Sequence, residues 1–140
     1  MRQRVRALII EDEKILFIHR IVEGREYWVI PGGGVEDDDM DLFASLRREC
    51  MEELGVEVDI GELFMESFFK LQDEDQHQHI FRCRISGGEL GTGIGPEYQE
   101  DGGYAGSFEI EWLHRSEIGE RPVLPEELKN KICEIYEDRP

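Results

Sequence analysis

The feature that most constrains this chain is a single amphipathic helical segment set among runs of β-branched residues. Over residues 41–54 the apolar positions recur every three or four residues and form one stripe, made of Phe43, Leu46, Cys50 and Leu54. Gly55 follows at the position where helices commonly end. Such a helix has to bury its stripe, and we expect the strand-like runs around it to form the centre that it covers.

The other periodic segments predict strands and one further helix. Apolar runs at residues 5–10 and 15–19, separated by four polar residues, are typical of a β-hairpin. Further strands are expected at residues 27–30, at 56–69 as one or two strands, at 77–85 and at 108–112. Pro125 marks the start of a closing helix with Leu128, Ile132 and Ile135 on its apolar side. A length of 140 residues without repeats or linkers predicts one mixed α/β domain over residues 1–140.

The charge balance restricts the partners of the chain. Sixteen basic residues stand against thirty-three acidic ones, and the net charge is −17. Duplex nucleic acid is therefore an unfavourable partner on electrostatic grounds. A smaller phosphate-bearing ligand would need a few arginines or divalent cations shared between carboxylates and phosphate oxygens.

Cysteine usage and the amino terminus predict a cytoplasmic protein. Cys50, Cys83 and Cys133 are odd in number and lack a C-x-x-C spacing, which argues against both a disulfide framework and a zinc site. We interpret them as buried thiols in a reducing compartment. The apolar run within residues 1–10 is too short for a signal peptide or a membrane span, so no membrane association is expected.

Three carboxylates share one arc of the helix. With Arg48 at zero on a helical wheel, Glu52, Glu49 and Glu53 fall at about 40, 100 and 140 degrees. Like charges at this spacing destabilise an isolated helix by about 0.2 to 0.5 kcal/mol per pair, and a bound cation would reverse that effect. A solvated acidic face is the alternative, but the arc borders the apolar stripe and is preceded by Pro31 and three glycines, for which we expect a loop without side chains. The pattern therefore favours a site for Mg²⁺ or Mn²⁺.

Residues 33–56 resemble the Nudix box, G-x5-E-x7-R-E-U-x-E-E-x-G-U, in which U is apolar. The second half matches at every fixed position, as Arg48-Glu49-Cys50-Met51-Glu52-Glu53-Leu54-Gly55-Val56. The resemblance to the Nudix, or MutT-like, family implies an α/β/α sandwich with a mixed central sheet and helices on both sides.

The first half of the box departs from the family pattern. Counting from Gly33 places Asp39 at the first glutamate with one inserted residue before Arg48, whereas counting from Gly34 places Met40 there. The first register keeps the familiar Pro-Gly-Gly-x-apolar-Glu run, and we prefer it. The resemblance then implies that Asp39 anchors the loop through Arg48.

The resemblance also implies a set of metal ligands and an activity. Glu52 and Glu53 would bind the catalytic Mg²⁺, for which Mn²⁺ could substitute, and Glu49 would be a further ligand or the base. The carbonyl of Gly32 would be another ligand. The implied reaction is attack of water on a phosphorus atom of a diphosphate linkage in a nucleoside triphosphate, an oxidised nucleotide or a nucleotide sugar.

The long polar stretch at residues 87–106 predicts a functional loop. In the family a base also comes from the loop before the last strand, for which Glu97, Glu100 and Asp101 are candidates. Tyr98 and Tyr104 are candidates for stacking on a base. Single residues in a polar loop are more often solvated.

Two histidines suggest a second possible metal site. His77 and His79 project to one side of a strand, a spacing that can bind zinc or copper. The sequence reveals no third ligand, and the apolar residues that continue this face favour two histidines at the edge of the core.

Two alternatives to the hydrolase remain open. A Nudix-like domain could bind or sense a nucleotide without turnover, although the intact pairs of the box argue against it. The isomerase branch of the superfamily uses a cysteine, but Cys50 lies on the apolar stripe. A homodimer is common in the family.

Overall fold

The computed structural model describes residues 1–93 and 106–137. The chain forms two compact units, one from Met1–Ile9 with Pro31–Tyr104 and the other from Ile10–Ile30 with Ala105–Pro140. No helix within the described residues combines the length and the hydropathy needed to cross a membrane.

The first unit is a mixed sheet with one helix. Its elements are β1 (Arg2–Glu11), β4 (Gly32–Gly34), α1 (Leu42–Leu54), β5 (Val56–Leu71) and β6 (Glu74–Gly88). The first part of β1 pairs in antiparallel fashion with β4 and in parallel fashion with β6. Strand β6 in turn pairs in antiparallel fashion with β5. The predicted mixed sheet and α+β architecture are confirmed.

Helix α1 is capped at both ends, and Gly55 ends it as predicted. The Asp41 side chain accepts a hydrogen bond from the Ala44 amide at 2.7 Å, which satisfies a free donor of the first turn. Gly55 ends the helix in the left-handed region, and its amide reaches the carbonyls of Cys50 and Met51. This turn leads directly into β5, so Val56, the last residue of the box, is the first residue of that strand.

The apolar stripe of α1 contributes to the core of this unit. Leu46, Cys50 and Leu54 are fully buried. Phe43 is partly exposed, although its ring lies 5.2 Å from that of Phe81. The stripe thus orients the helix so that its acidic arc lies beside the buried face.

The sequence interpretation expected a loop at the glycines after Pro31, and this prediction was wrong. Gly32, Gly33 and Gly34 form the short strand β4, whose residues pair with Arg6, Val5 and Arg4 of β1. A Cβ at Gly32 would collide with the backbone of Val5 and Arg6, so only glycine allows this close approach.

The second unit is built from antiparallel strands. It contains β2 (Lys14–Val22), β3 (Arg25–Val29), β7 (Ser107–His114), a 3₁₀ helix (Arg115–Glu120) and α2 (Glu126–Glu137). Strand β2 pairs with β3 and β7, and the end of β1 pairs with β2 as the predicted hairpin. Leu128 and Ile132 of α2 are buried as predicted, but Ile135 is exposed and Tyr136 is buried instead. Tyr136 is four residues after Ile132 and therefore lies on the same helical face.

Candidate functional site

The acidic arc of α1 is partly withdrawn from solvent. The side chain of Glu49 is 14% exposed, that of Glu52 is 35% exposed, and Glu53 as a residue is 6% exposed. Burial raises the pKa of Glu49, although the charge of Arg48 opposes this. A helix that carried these carboxylates for solubility alone would expose them fully.

Arg48 joins α1 to the loop that precedes it. Its Nε and Nη2 donate to the two carboxylate oxygens of Asp39 at 3.1 and 3.0 Å, and Nη2 also donates to the Gly34 carbonyl at 3.3 Å. Asp39 additionally accepts from the Glu36 amide at 2.8 Å. The hydrogen bonds from Arg48 lower the pKa of Asp39 to about 2. The structure therefore brings together the arginine and the aspartate of the preferred register, whereas Met40 is exposed.

Arg48 also faces most of the remaining acids of the box. Its Nη1 lies 3.3 Å from Glu49 Oε1, 3.2 Å from Glu52 Oε2 and 3.5 Å from Glu36 Oε1. One guanidinium is thus shared by several carboxylates. The excess of negative charge around it favours a second source of positive charge, such as a divalent cation.

Strand β4 lies directly against the glutamates. The Gly32 amide donates to Glu53 Oε1 at 2.7 Å. A Cβ at Gly33 would come within 2.7 Å of Glu49 Oε1, so the absence of a side chain allows this carboxylate to approach the strand. Glu49, Glu53 and Gly32, three of the residues predicted to bind metal, are therefore adjacent.

The donor set fits a hard divalent cation. It consists of carboxylate oxygens with a backbone strand beside them, and these are the ligand types that Mg²⁺ and Mn²⁺ prefer. Glu53 Oε1, which accepts from the Gly32 amide, and the Glu49 carboxylate are the oxygens of this set that lie beside β4.

Two arginines of β1 are functional candidates that the sequence interpretation missed. Arg6 Nε donates to Gln78 Oε1 at 2.8 Å, and its charge acts on Glu49. Arg4 is electrostatically coupled to Glu49 and Glu53, and its buried Nε has no hydrogen-bond partner among the residues described. The alternation of arginines at positions 2, 4 and 6 was the available signal, since alternate residues of a strand share a face.

The loop candidates cannot be placed in this way. Glu97, Tyr98, Glu100, Asp101 and Tyr104 lie outside the described residues. Their roles remain predictions.

The cysteine of the box is buried. Cys50 has no exposed surface, and burial raises the pKa of its thiol well above the usual range. A protonated thiol in the core is a poor nucleophile. This environment disfavours chemistry of the cysteine-dependent isomerase type.

A third ligand candidate accompanies the histidine pair. Glu66 of β5 lies beside His77 and His79, and one possible ligand atom from each residue lies within 4.8 Å of the others. The sequence interpretation found no such partner because Glu66 comes from a different strand.

Comparison with known proteins agrees with the box and the fold. The model of the NUDIX domain matches residues 1–133. A MutT-like protein of Streptomyces ambofaciens is 30% identical over 115 residues, which are 82% of this chain and 64% of the relative. The match thus spans slightly less than two thirds of that relative.

Solved structures share the same fold. The ORF135 protein of E. coli superposes with a TM-score of 0.73 at 25% identity, covering 100% of this chain and 94% of the other. The MutT protein of Methanosarcina mazei Go1 gives a TM-score of 0.70 at 20% identity, with 98% and 94% covered. The solved structures agree in fold, and the match over residues 1–133 shows that the chain belongs to the Nudix family.

Proposed function

We propose that this protein hydrolyses the diphosphate linkage of a nucleoside diphosphate derivative with the help of Mg²⁺. The substrate class comprises nucleoside triphosphates, oxidised nucleotides and nucleotide sugars. The observation that carries the proposal is the direct junction of strand β4 with the acidic arc, through the 2.7 Å hydrogen bond from the Gly32 amide to Glu53.

The residues of the acidic arc would have different roles in this reaction. Glu52, Glu53 and the Gly32 carbonyl would hold the cation, and Glu49 would be a further ligand or the base. When bound, a divalent cation supplies charge neutralisation at phosphate oxygens and lowers the pKa of water. Arg48 positions these groups, because its hydrogen bonds to Asp39 fix the loop before the helix.

Positive charge for the substrate phosphates is available on β1. Arg4 has a buried Nε without a partner among the residues described, and it is electrostatically coupled to Glu49 and Glu53. A buried unsatisfied donor in a native structure calls for an explanation, and a phosphate oxygen would provide one. We therefore assign Arg4 a role in holding the substrate.

A nucleotide panel tests this function. Purified protein is incubated with Mg²⁺ and nucleoside triphosphates, oxidised nucleotides or nucleotide sugars, and release of nucleoside monophosphate is followed by chromatography. We expect at least one substrate to turn over and Glu53→Gln to abolish this turnover. Glu134→Gln, an exposed glutamate on α2, is the matched control and should retain full activity.

The same panel tests the binding alternative. If no member reacts with Mg²⁺ or Mn²⁺ while nucleotides still raise the melting temperature, the domain is a nucleotide sensor and the hydrolase proposal is wrong. Ligand binding to the native state alone raises stability in proportion to RT ln(1 + [L]/Kd), so this readout does not depend on turnover.

A further inference from the structure

We propose that Glu66, His77 and His79 form a site for a Zn²⁺-like divalent transition metal, made of residues other than those of the Nudix box. These three side chains lie on one face of the hairpin formed by β5 and β6. This inference goes beyond the proposed hydrolase function and does not depend on it.

The pairing of β5 and β6 explains why the three residues meet. Glu66 is the direct cross-strand partner of His79, and Phe68 is that of His77. Residues two apart on a strand share a face, so Glu66 lies opposite one histidine and diagonal to the other. Irregularities between Ile60 and Met65 set this register, and a shift of one residue would send Glu66 to the opposite face.

The two nitrogen–oxygen separations match edges of a zinc tetrahedron, and all three ligand atoms lie within 4.8 Å of one another. His77 Nε2 lies 3.2 Å and His79 Nδ1 lies 3.5 Å from the same oxygen, Glu66 Oε1. Ligands at the usual zinc distances of about 2.0 to 2.1 Å are separated by about 3.3 Å in tetrahedral geometry. A cation could therefore enter with only small movements of the side chains.

A hydrogen bond from His79 to the neighbouring strand β1 orients its ring for coordination. Its Nε2 lies 2.8 Å from Gln3 Oε1 of β1. A carbonyl oxygen only accepts, so this contact places the proton on Nε2 and leaves a lone pair on Nδ1 of a neutral ring. Metal-binding histidines are commonly oriented by such a bond at their other nitrogen.

The contact between Glu66 and the Nδ1 atom of His79 is unfavourable without a cation, whereas His77 Nε2 can donate a hydrogen bond to the same oxygen. The Nδ1 lone pair of His79 faces a carboxylate oxygen at 3.5 Å, so two hydrogen-bond acceptors repel each other. The rings of His77 and His79 lie close together, with their centroids 3.9 Å apart.

The environment suits a site that is held rigidly and reached from solvent. The side chains of His77 and His79 are 20% and 11% exposed, whereas that of Glu66 is 44% exposed. The ring of Phe68 stacks on His77 at 4.3 Å and restricts its rotation. Two imidazoles and one carboxylate favour zinc and related metals over Mg²⁺, and three protein ligands leave a position for water or an anion.

Metal binding by the full chain tests this proposal. Metal-free protein in excess Mg²⁺, which occupies carboxylate sites, is titrated with Zn²⁺ against a chromophoric chelator and with Co²⁺ by visible absorption. We expect one equivalent of Zn²⁺ and the absorption bands of tetrahedral Co²⁺. Glu66→Gln and His77→Gln should each weaken Zn²⁺ binding about tenfold or more, by analogy with the 10- to 100-fold losses seen for outer-shell partners.

Two control variants locate the metal. His114 also lies near a carboxylate, with its Nε2 3.8 Å from Glu13, but it is outside the proposed cluster. His114→Gln should therefore leave Zn²⁺ binding unchanged. Glu53→Gln should also retain the equivalent of Zn²⁺, which separates this site from the proposed catalytic one. Because Glu66 is largely exposed, circular dichroism should show Glu66→Gln to be folded. Absence of the Zn²⁺ equivalent in the wild-type protein, or unchanged affinity in both Glu66→Gln and His77→Gln, would overturn the proposal.

Discussion

Replacing Asp39 by asparagine tests the contact that holds the Nudix loop to its helix. The carboxylate is 8% exposed and accepts three hydrogen bonds, two from the Arg48 guanidinium and one from the Glu36 amide. Asparagine keeps the size of the side chain but removes its charge. One of its two terminal groups is also a donor and cannot accept from the guanidinium.

The magnitude follows from the loss of a charged acceptor. Hydrogen bonds to charged groups contribute about 1.5 to 3 kcal/mol and neutral ones about 0.5 to 1.5 kcal/mol. Arg48 is 23% exposed and keeps its contacts with Glu49 and Glu52, so part of the loss is offset. We expect Asp39→Asn to lower the free energy of unfolding by about 1 to 2 kcal/mol and the melting temperature by roughly 3 to 8 °C.

The pH dependence gives this prediction a distinctive sign. Arg48 lowers the folded-state pKa of Asp39 from 3.8 to about 2. The carboxylate therefore contributes its full stability above the unfolded-state pKa and loses it as the pH falls toward the folded-state value. The difference between wild type and Asp39→Asn should be complete above about pH 5 and shrink between about pH 4 and 2.

Urea unfolding at pH 6 and pH 3 measures this difference. Asp38→Asn is the matched control, because the neighbouring aspartate is exposed. The reasoning is refuted if Asp38→Asn destabilises the protein as much as Asp39→Asn, or if the effect of Asp39→Asn is equal at the two pH values.

Two further predictions concern backbone space and thiol burial. Gly32→Ala should destabilise the protein by about 3 kcal/mol or more, because its φ is +146° and a Cβ would meet β1. Gly91→Ala, at φ +91° with open space, should cost only about 1 kcal/mol, and similar losses by urea unfolding would contradict this account. In native protein a disulfide reagent should modify Cys133 before Cys50 and Cys83, since burial raises the pKa of both, that of Cys83 to about 12. Fast modification of all three without denaturant would argue against the buried environment.

Local patterns were sufficient for much of the fold. The spacing of apolar residues predicted α1, Gly55 marked its end, and two apolar runs predicted the hairpin of β1 and β2. These features depend on neighbours within about one helical turn or one β-turn. The propensities of adjacent residues therefore indicate them directly.

The sequence favoured one of two alignments for the first half of the Nudix box but did not decide between them. Asp39 and Met40 were both possible at the first acidic position of the box, because counting from Gly33 gives one and counting from Gly34 gives the other. The structure places the Asp39 carboxylate on Arg48 and leaves Met40 exposed. That outcome depends on how the loop folds back toward the helix.

By itself, the sequence determined the acidic arc, the glycines before it and the resemblance to the Nudix box. Only the tertiary structure showed Arg4 coupled to Glu49 and Glu53, and Glu66 beside His77 and His79. The physical reason is that helical spacing places residues of one segment on one face, whereas strand pairing joins residues that are distant in the chain. Which residues pair is set by bulges, turns and core packing, and no single segment contains that information.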